Sequence, residues 1–104
     1  MVEVNLKEYA QLLIDNTKAN QYEWEQMGES KYRLLLKKGT VVLERFKSAS
    51  TTFFELSFYD TTVLIYKSNI FTHNPVYQDY QELFNTIISK NNEKINKAIS
   101  DLFL

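Results

Sequence analysis

The chain has 104 residues, 44% of them hydrophobic and 14% aromatic, with a formal net charge of −1; that suits one domain, residues 1–104, large enough to bury a core without staples. It contains no cysteine, which excludes a disulfide framework and a thiolate metal site and points to a reducing cytoplasm. Near-neutral charge argues against a dedicated nucleic-acid binder, and no apolar run approaches the ~20 residues that span a bilayer.

In chain order, MVEVNLKEYA lacks the basic-then-apolar order of a signal peptide and instead opens a helix. Asn5-Leu6-Lys7-Glu8 has the form of a capping box. Leu6, Tyr9, Ala10, Leu13 and Ile14 then fall at i, i+3, i+4, i+7 and i+8, the stripe of an amphipathic helix expected to end near Asn16 or Thr17. Lys18 to Ser30 is mostly polar and holds the single tryptophan. Its Tyr22/Trp24 alternation is compatible with a short strand, and burial of so large a side chain favours Trp24 as a core plug over a ligand platform.

Lys31 to Lys67 reads as two β-hairpins in succession, a four-stranded antiparallel meander. In the first, Tyr32, Leu34 and Leu36 alternate with Arg33, Leu35 and Lys37 ahead of Lys38-Gly39, where Gly39 is expected to supply the positive φ of a tight turn. That loop sets Leu36 against Val41, Leu34 against Leu43, Leu35 against Val42 and Arg33 against Glu44. Lys47 to Ser50 links the hairpins. The second turns at Asp60-Thr61, with Phe58 against Val63 and Leu56 against Ile65.

Ser68 to His73 reads as a loop ending in Asn74-Pro75, a cap residue followed by proline at the first helical position. Tyr77, Tyr80, Phe84, Ile87 and Ile88 make the next stripe, and Ile95, Ala98, Ile99, Leu102 and Phe103 continue its phase. Lys90-Asn91-Asn92 interrupts the apolar surface between them. An unbroken helix would outreach strands of roughly six to eight residues, so a break or bend at the asparagines is favoured. The expected class is α+β: an N-terminal helix, the meander, then a C-terminal helix or broken helix pair.

The residues carry no chemical signature. His73 is the single histidine, without a nucleophile at recognisable spacing, and reads as structural or solvated. No spacing of acids resembles a calcium loop and no glycine-rich loop cradles a phosphate; Glu44, Glu55 and Asp60 are explained by cross-strand pairs and turns. Catalytic residues, metal ligands and cofactors are therefore expected to be absent, and the chain is read as a non-enzyme. Charge is uneven: residues 1–30 carry six acids against two bases, and 31–67 carry seven bases against three acids. The simple account is that the acidic segment packs beside the basic sheet.

The second face of the sheet stands out. With Leu34, Leu36, Val41, Leu43, Leu56, Phe58, Val63 and Ile65 inside, the outer face holds Leu35, Val42, Phe46, Phe53, Tyr59, Leu64 and Tyr66, more apolar than a solvated antiparallel face should be. Either a helix covers each face or the C-terminal piece folds across this one, or the face associates with a protein partner or a second copy. Leu35, Val42, Phe46, Phe53, Leu64 and Tyr66 are the candidate interface.

The order Leu13-Ile14-Asp15-Asn16-Thr17, Tyr22-Glu23-Trp24, Tyr32-x-Leu34 through Gly39-x-Val41-x-Leu43, Leu56-x-Phe58-Tyr59-Asp60, Ile65-Tyr66-x-Ser68 and Tyr80-x-x-Leu83-Phe84 resembles small bacterial proteins, some associated with phage or mobile elements. The resemblance implies a fold and a broad setting, a phage or mobile-element accessory protein, and carries over no catalytic residue. The expected function is a protein-binding or self-associating module. The rival is a small-ligand or enzymatic domain with a pocket between sheet and C-terminal helix, lined by Tyr32, Tyr77 and Tyr80.

Overall fold

The computed structural model describes residues 3–104. Helix α1 (Leu6–Lys18) is followed by strands β1 (Trp24–Gly28), β2 (Lys31–Leu36), β3 (Gly39–Lys47), β4 (Thr52–Asp60) and β5 (Val63–Phe71), then by helix α2 (Tyr77–Asp101). The strands form one antiparallel sheet in the order β1-β2-β3-β4-β5. The α+β class and the meander are as expected, but the sheet has five strands rather than four. The additional strand is β1, whose Trp24 pairs with Leu34 and Glu25 with Arg33 before the register shifts between Gln26 and Gly28. Only Trp24 of this strand is buried, so it shows no sustained alternation to read.

At the start of α1 the Asn5 Oδ1 accepts from the Glu8 backbone N–H at 3.2 Å, while Asn5 Nδ2 donates to the Glu8 carboxylate at 2.7 Å, satisfying one of the helix's orphan donors. The helix runs past Thr17, which is buried because its hydroxyl donates to the Leu13 carbonyl (2.6 Å) and accepts from the Trp24 indole N–H (2.9 Å). Asn20, with φ of 60°, takes the left-handed conformation just beyond the helix, a position asparagine tolerates. The Asn16 carbonyl accepts from the N–H groups of Gln21 and Tyr22. The chain thus reverses and delivers Trp24 into the core as a plug.

Both hairpins keep their partners but shift register. In the first, Leu36 pairs with Gly39, Leu34 with Val41 and Tyr32 with Leu43, two residues from the expected pairing, so the loop is Lys37-Lys38. A two-residue shift leaves every side chain on its original face, and the apolar pattern could not discriminate between the two registers. Gly39 has no positive φ and does not supply the turn. It is needed because β4 approaches so closely that a Cβ at this position would overlap the Tyr59 carbonyl oxygen.

The second hairpin turns at Thr61-Thr62, with Thr61 at φ 57°. Tyr59 then pairs with Leu64 but Phe58 pairs with Tyr66, because a bulge leaves an additional residue on β5. Beyond a bulge the faces exchange. Tyr66 moves from the expected outer face to the helix-covered face beside Phe58, ring centroids 6.4 Å apart. Val63 and Ile65, expected inside, are 64% and 65% exposed. β5 also extends through most of the expected Ser68–His73 loop, pairing Ile70 with Phe54 and Phe71 with Phe53.

Asn74 caps a turn rather than the helix: its side chain accepts from the Val76 N–H at 3.0 Å, and α2 begins at Tyr77 with Val76 as N-cap. The helix is continuous to Asp101, so the expected break at Asn91-Asn92 does not occur. Instead of folding back, its last turns run beyond the sheet. The longest dimension is 57 Å and the radius of gyration 14.7 Å, above the ~13 Å of a compact domain of this length.

Both helices lie on one face, over a single core containing Ala10, Leu13, Ile14, Trp24, Tyr32, Leu34, Val41, Leu43, Phe54, Leu56, Ile70, Tyr77, Tyr80, Leu83, Phe84 and Ile87. Tyr80 is fully buried and donates its hydroxyl proton to the Leu6 carbonyl at 2.7 Å, tying α2 to the start of α1. Burial pushes its phenol far above the usual range, with the nearby Asp79 charge adding to the effect; its hydroxyl therefore stays a donor.

Leu43→Ala and Phe84→Ala, both buried large-to-small changes, are each expected to cost roughly 2–5 kcal/mol in chemical denaturation. A loss under about 0.5 kcal/mol at both would contradict their place in the core. Gly39→Ala is expected to cost roughly 1–3 kcal/mol, as overpacking does, even though the backbone φ suits alanine. A variant as stable as wild type would show that β4 can withdraw.

Candidate interaction surface

With both helices on the inner face, the outer face of the sheet has no cover among the described residues, which disposes of one helix per face. Cross-strand pairing arranges this face in rows. Phe46, Phe53 and Phe71 form one row at the end farthest from the Lys37-Lys38 and Thr61-Thr62 turns, with ring centroids 5.1 Å and 4.7 Å apart. The exposed His73 ring stacks on Phe71 at 6.2 Å, so it is a solvated aromatic neighbour.

The middle of the face is charged. Lys31 pairs with Glu44 at 3.9 Å, Arg33 with Glu25 at 3.1 Å and Lys67 with Glu55 at 3.2 Å. Acid from the N-terminal segment thus meets the basic sheet at Glu25–Arg33, while Glu23 reaches Lys94 on α2. Half-buried Val42 and buried Ser57 lie within this belt.

The row nearest the turns is Leu35, Thr40, Tyr59 and Leu64. Of the six interface candidates, the structure therefore places Leu35 and Leu64 at one apolar end, Phe46 and Phe53 at the other, and Val42 between them. Tyr66 belongs to the opposite face.

The turn end continues onto the inner side, where Leu36, Gly39, Val41, Phe58 and Ile65 line a shallow groove of about 290 Å³ with Lys38 and Asp60 also at its wall. The groove lies where β3 and β4 come together at Gly39, and the bulge leaves Ile65 exposed at its wall. Leu35, Leu36, Val63, Leu64 and Ile65 are all exposed around this one end. Sequence reasoning missed this concentration, since no residue type announces a bulge at Leu64-Ile65-Tyr66. The one available signal was a glycine directly before an apolar strand.

Tyr32, Tyr77 and Tyr80 are packed in the core. A cleft of about 330 Å³ lies instead between the α1–β1 connection and α2, lined among others by Asn20, Tyr22, Trp24, Lys90, Asn91 and Lys97. Glu23 and Lys94 also line it and join its walls with an ion pair of 2.9 Å. Among the described residues, no cluster of histidine, cysteine, aspartate and glutamate is placed to hold a metal ion, and no helix is long and apolar enough to cross a membrane. No family model, curated protein or solved structure matches the chain.

The hydrogen bond and charge of Lys94 hold the Glu23 carboxyl below its ordinary value of 4.5, and Glu23 raises Lys94 above 10.5. An acid with a lowered folded-state pKa contributes stability above its unfolded pKa and loses it as pH falls through the folded value. The strap should therefore hold from mildly acidic pH to beyond 10.5 and open in acid below 4.5. Trp24 fluorescence checks this: Glu23→Gln should remove a transition below pH 4.5 while leaving the neutral-pH spectrum unchanged. An identical acid titration in the variant would discard the strap. Both groups are fully exposed, so salt should weaken the effect.

Proposed function

We propose that this chain is a protein-binding module that docks through the turn end of its sheet. The observation carrying the reading is the grouping of Leu35, Leu36, Val63, Leu64 and Ile65, all exposed, around the groove over Gly39. Monomeric proteins rarely leave contiguous apolar patches uncovered unless another surface covers them. The accessible lining of the groove is mostly apolar, which suits the apolar side chains of a protein partner better than a polar metabolite. Tyr32, Tyr77 and Tyr80, the lining expected for the rival ligand-binding or enzymatic pocket, are core residues, which supports the module reading over that rival. A bacterial, phage or mobile-element setting remains part of the proposal and rests on the sequence resemblance alone.

Because the patch residues are exposed, charges there should spare the fold. Leu35→Glu combined with Ile65→Glu is expected to melt close to wild type. In affinity capture from the native host, wild type should retain a stoichiometric protein that the double variant loses, since an unpaired carboxylate desolvated in an interface costs several kcal/mol. Equal capture by both chains would refute docking at this end.

A further inference from the structure

The overhanging end of α2 poses a physical problem that the chain does not solve alone. The helix is anchored through Tyr77, Tyr80, Leu83, Phe84 and Ile87. Its last bonds to the rest of the fold are Asn91 Nδ2 to the Gln26 side chain (3.1 Å) and Lys94 to Glu23 (2.9 Å). From Asn92 onward every residue is exposed. This stretch of roughly three turns is a poor helix former in isolation: Asn92 and Asn96 have low propensity, and free helices this short are marginal in water. No base lies in the last turn, and Asp101 puts negative charge at the negative end of the macrodipole.

The same stretch carries an ordered apolar seam. Ile88, Ile95 and Leu102 recur every seven residues, with Ala98 and Ile99 one turn from Ile95, the spacing of a helix that packs on another helix. Ile95, Ile99 and Leu102 are 43%, 49% and 80% exposed. One flank of the seam bears Lys94 and Asp101, seven residues apart and opposite in sign. In an antiparallel pair a flank meets the same flank of its partner in reverse. A segment laid antiparallel on its own copy about the midpoint between Lys97 and Ala98 would set Lys94 opposite the partner's Asp101, and Asp101 opposite the partner's Lys94. Ile95 would then lie within one position of the partner's Ile99, with the small Ala98 beside the midpoint of the pair. A parallel pair would set Lys94 beside the partner's Ile99 and gain no charge match.

We infer that the overhanging end of α2 pairs antiparallel with the same segment of a second copy, through Ile95, Ala98, Ile99 and Leu102, with Lys94 and Asp101 completing reciprocal ion pairs. The overlap ends at Asn91, where each sheet begins, so the two domains lie at opposite ends of the helix pair. This surface is separate from the sheet's turn end, and either can operate without the other.

Sedimentation equilibrium and far-UV circular dichroism on the full chain test the pairing. Wild type should be dimeric at micromolar concentrations. Ile95→Asp combined with Ile99→Asp should be monomeric, with reduced helical signal but an unchanged core melt. Lys94→Glu and Asp101→Lys should each weaken the dimer by roughly tenfold or more at low salt, each change counting twice by symmetry. Their combination should restore it. Glu23→Gln, which frees Lys94 from its partner within the same chain while leaving the isoleucines in place, should leave the dimer at least as tight as wild type. A wild type monomeric at high micromolar concentration, a dimer indifferent to the isoleucine changes, or a charge swap that fails to restore pairing would each overturn the inference.

Discussion

The Phe84 ring is the point at which helix and sheet are fixed to one another. It meets the edge of Tyr32 from β2 at 5.7 Å, lies tilted against Phe54 from β4 at 5.5 Å, and receives the Arg45 guanidinium from β3 over its face at 4.7 Å. Three consecutive strands thus converge on one side chain of α2. The Arg45 Nε is buried without a hydrogen-bond partner, and the ring's negative face partly compensates the charge that this leaves in the core. With Tyr77 against Phe54 at 5.4 Å and Asn91 reaching Gln26 on β1, the direction of α2 is determined: it crosses the sheet from β4 to the β1 edge. A straight helix held on that line must run out past the edge.

What could be read from the sequence follows from how local each determinant is. The α1 stripe, the Asn5 cap, Trp24 as core plug and the alternating residues of β2 to β4 are set within a few positions, and the structure keeps them except at Tyr9 and Leu36, which are exposed. Leu34, Val41, Leu43 and Leu56 are buried as expected. The failures are events that alter parity or depend on distant neighbours. Thr61 adopts a left-handed conformation that threonine does not advertise, and the bulge beside it reversed the faces of Tyr66 and Ile65. Gly39 reads as a turn residue in the β2–β3 segment because a carbonyl approaching from β4 leaves no trace there. The asparagines at the middle of α2 suggested a break, yet Asn91 is held by Gln26 and the helix continues through it.

The outer face shows how charge placement divides a surface that composition alone made to look uniformly apolar. Lys31–Glu44, Arg33–Glu25 and Lys67–Glu55 cross its middle, between the phenylalanine row and the Leu35–Leu64 row. A partner covering the whole face would have to desolvate all of these pairs, and the Coulomb attraction inside an interface seldom repays that cost in full. The belt therefore disfavours flat sheet-on-sheet stacking and leaves the two ends as separate surfaces. The turn end is the better suited to a partner, since its apolar residues continue around the tip onto the inner face.

The strand order also determines how the chain can assemble. Every strand pairs with its immediate successor, so each loop that must close is short and its entropic cost small. Among the described residues, the hydrogen bond that spans the most sequence runs from Tyr80 to the Leu6 carbonyl and requires both helices to be in place. Folding should accordingly begin in the hairpins around β3 and β4, with docking of α1 against α2 as a later step. The two helices are then the part of the molecule able to detach while the sheet persists, and amide hydrogens in α1 should exchange with solvent sooner than those of β3, which is bonded on both sides.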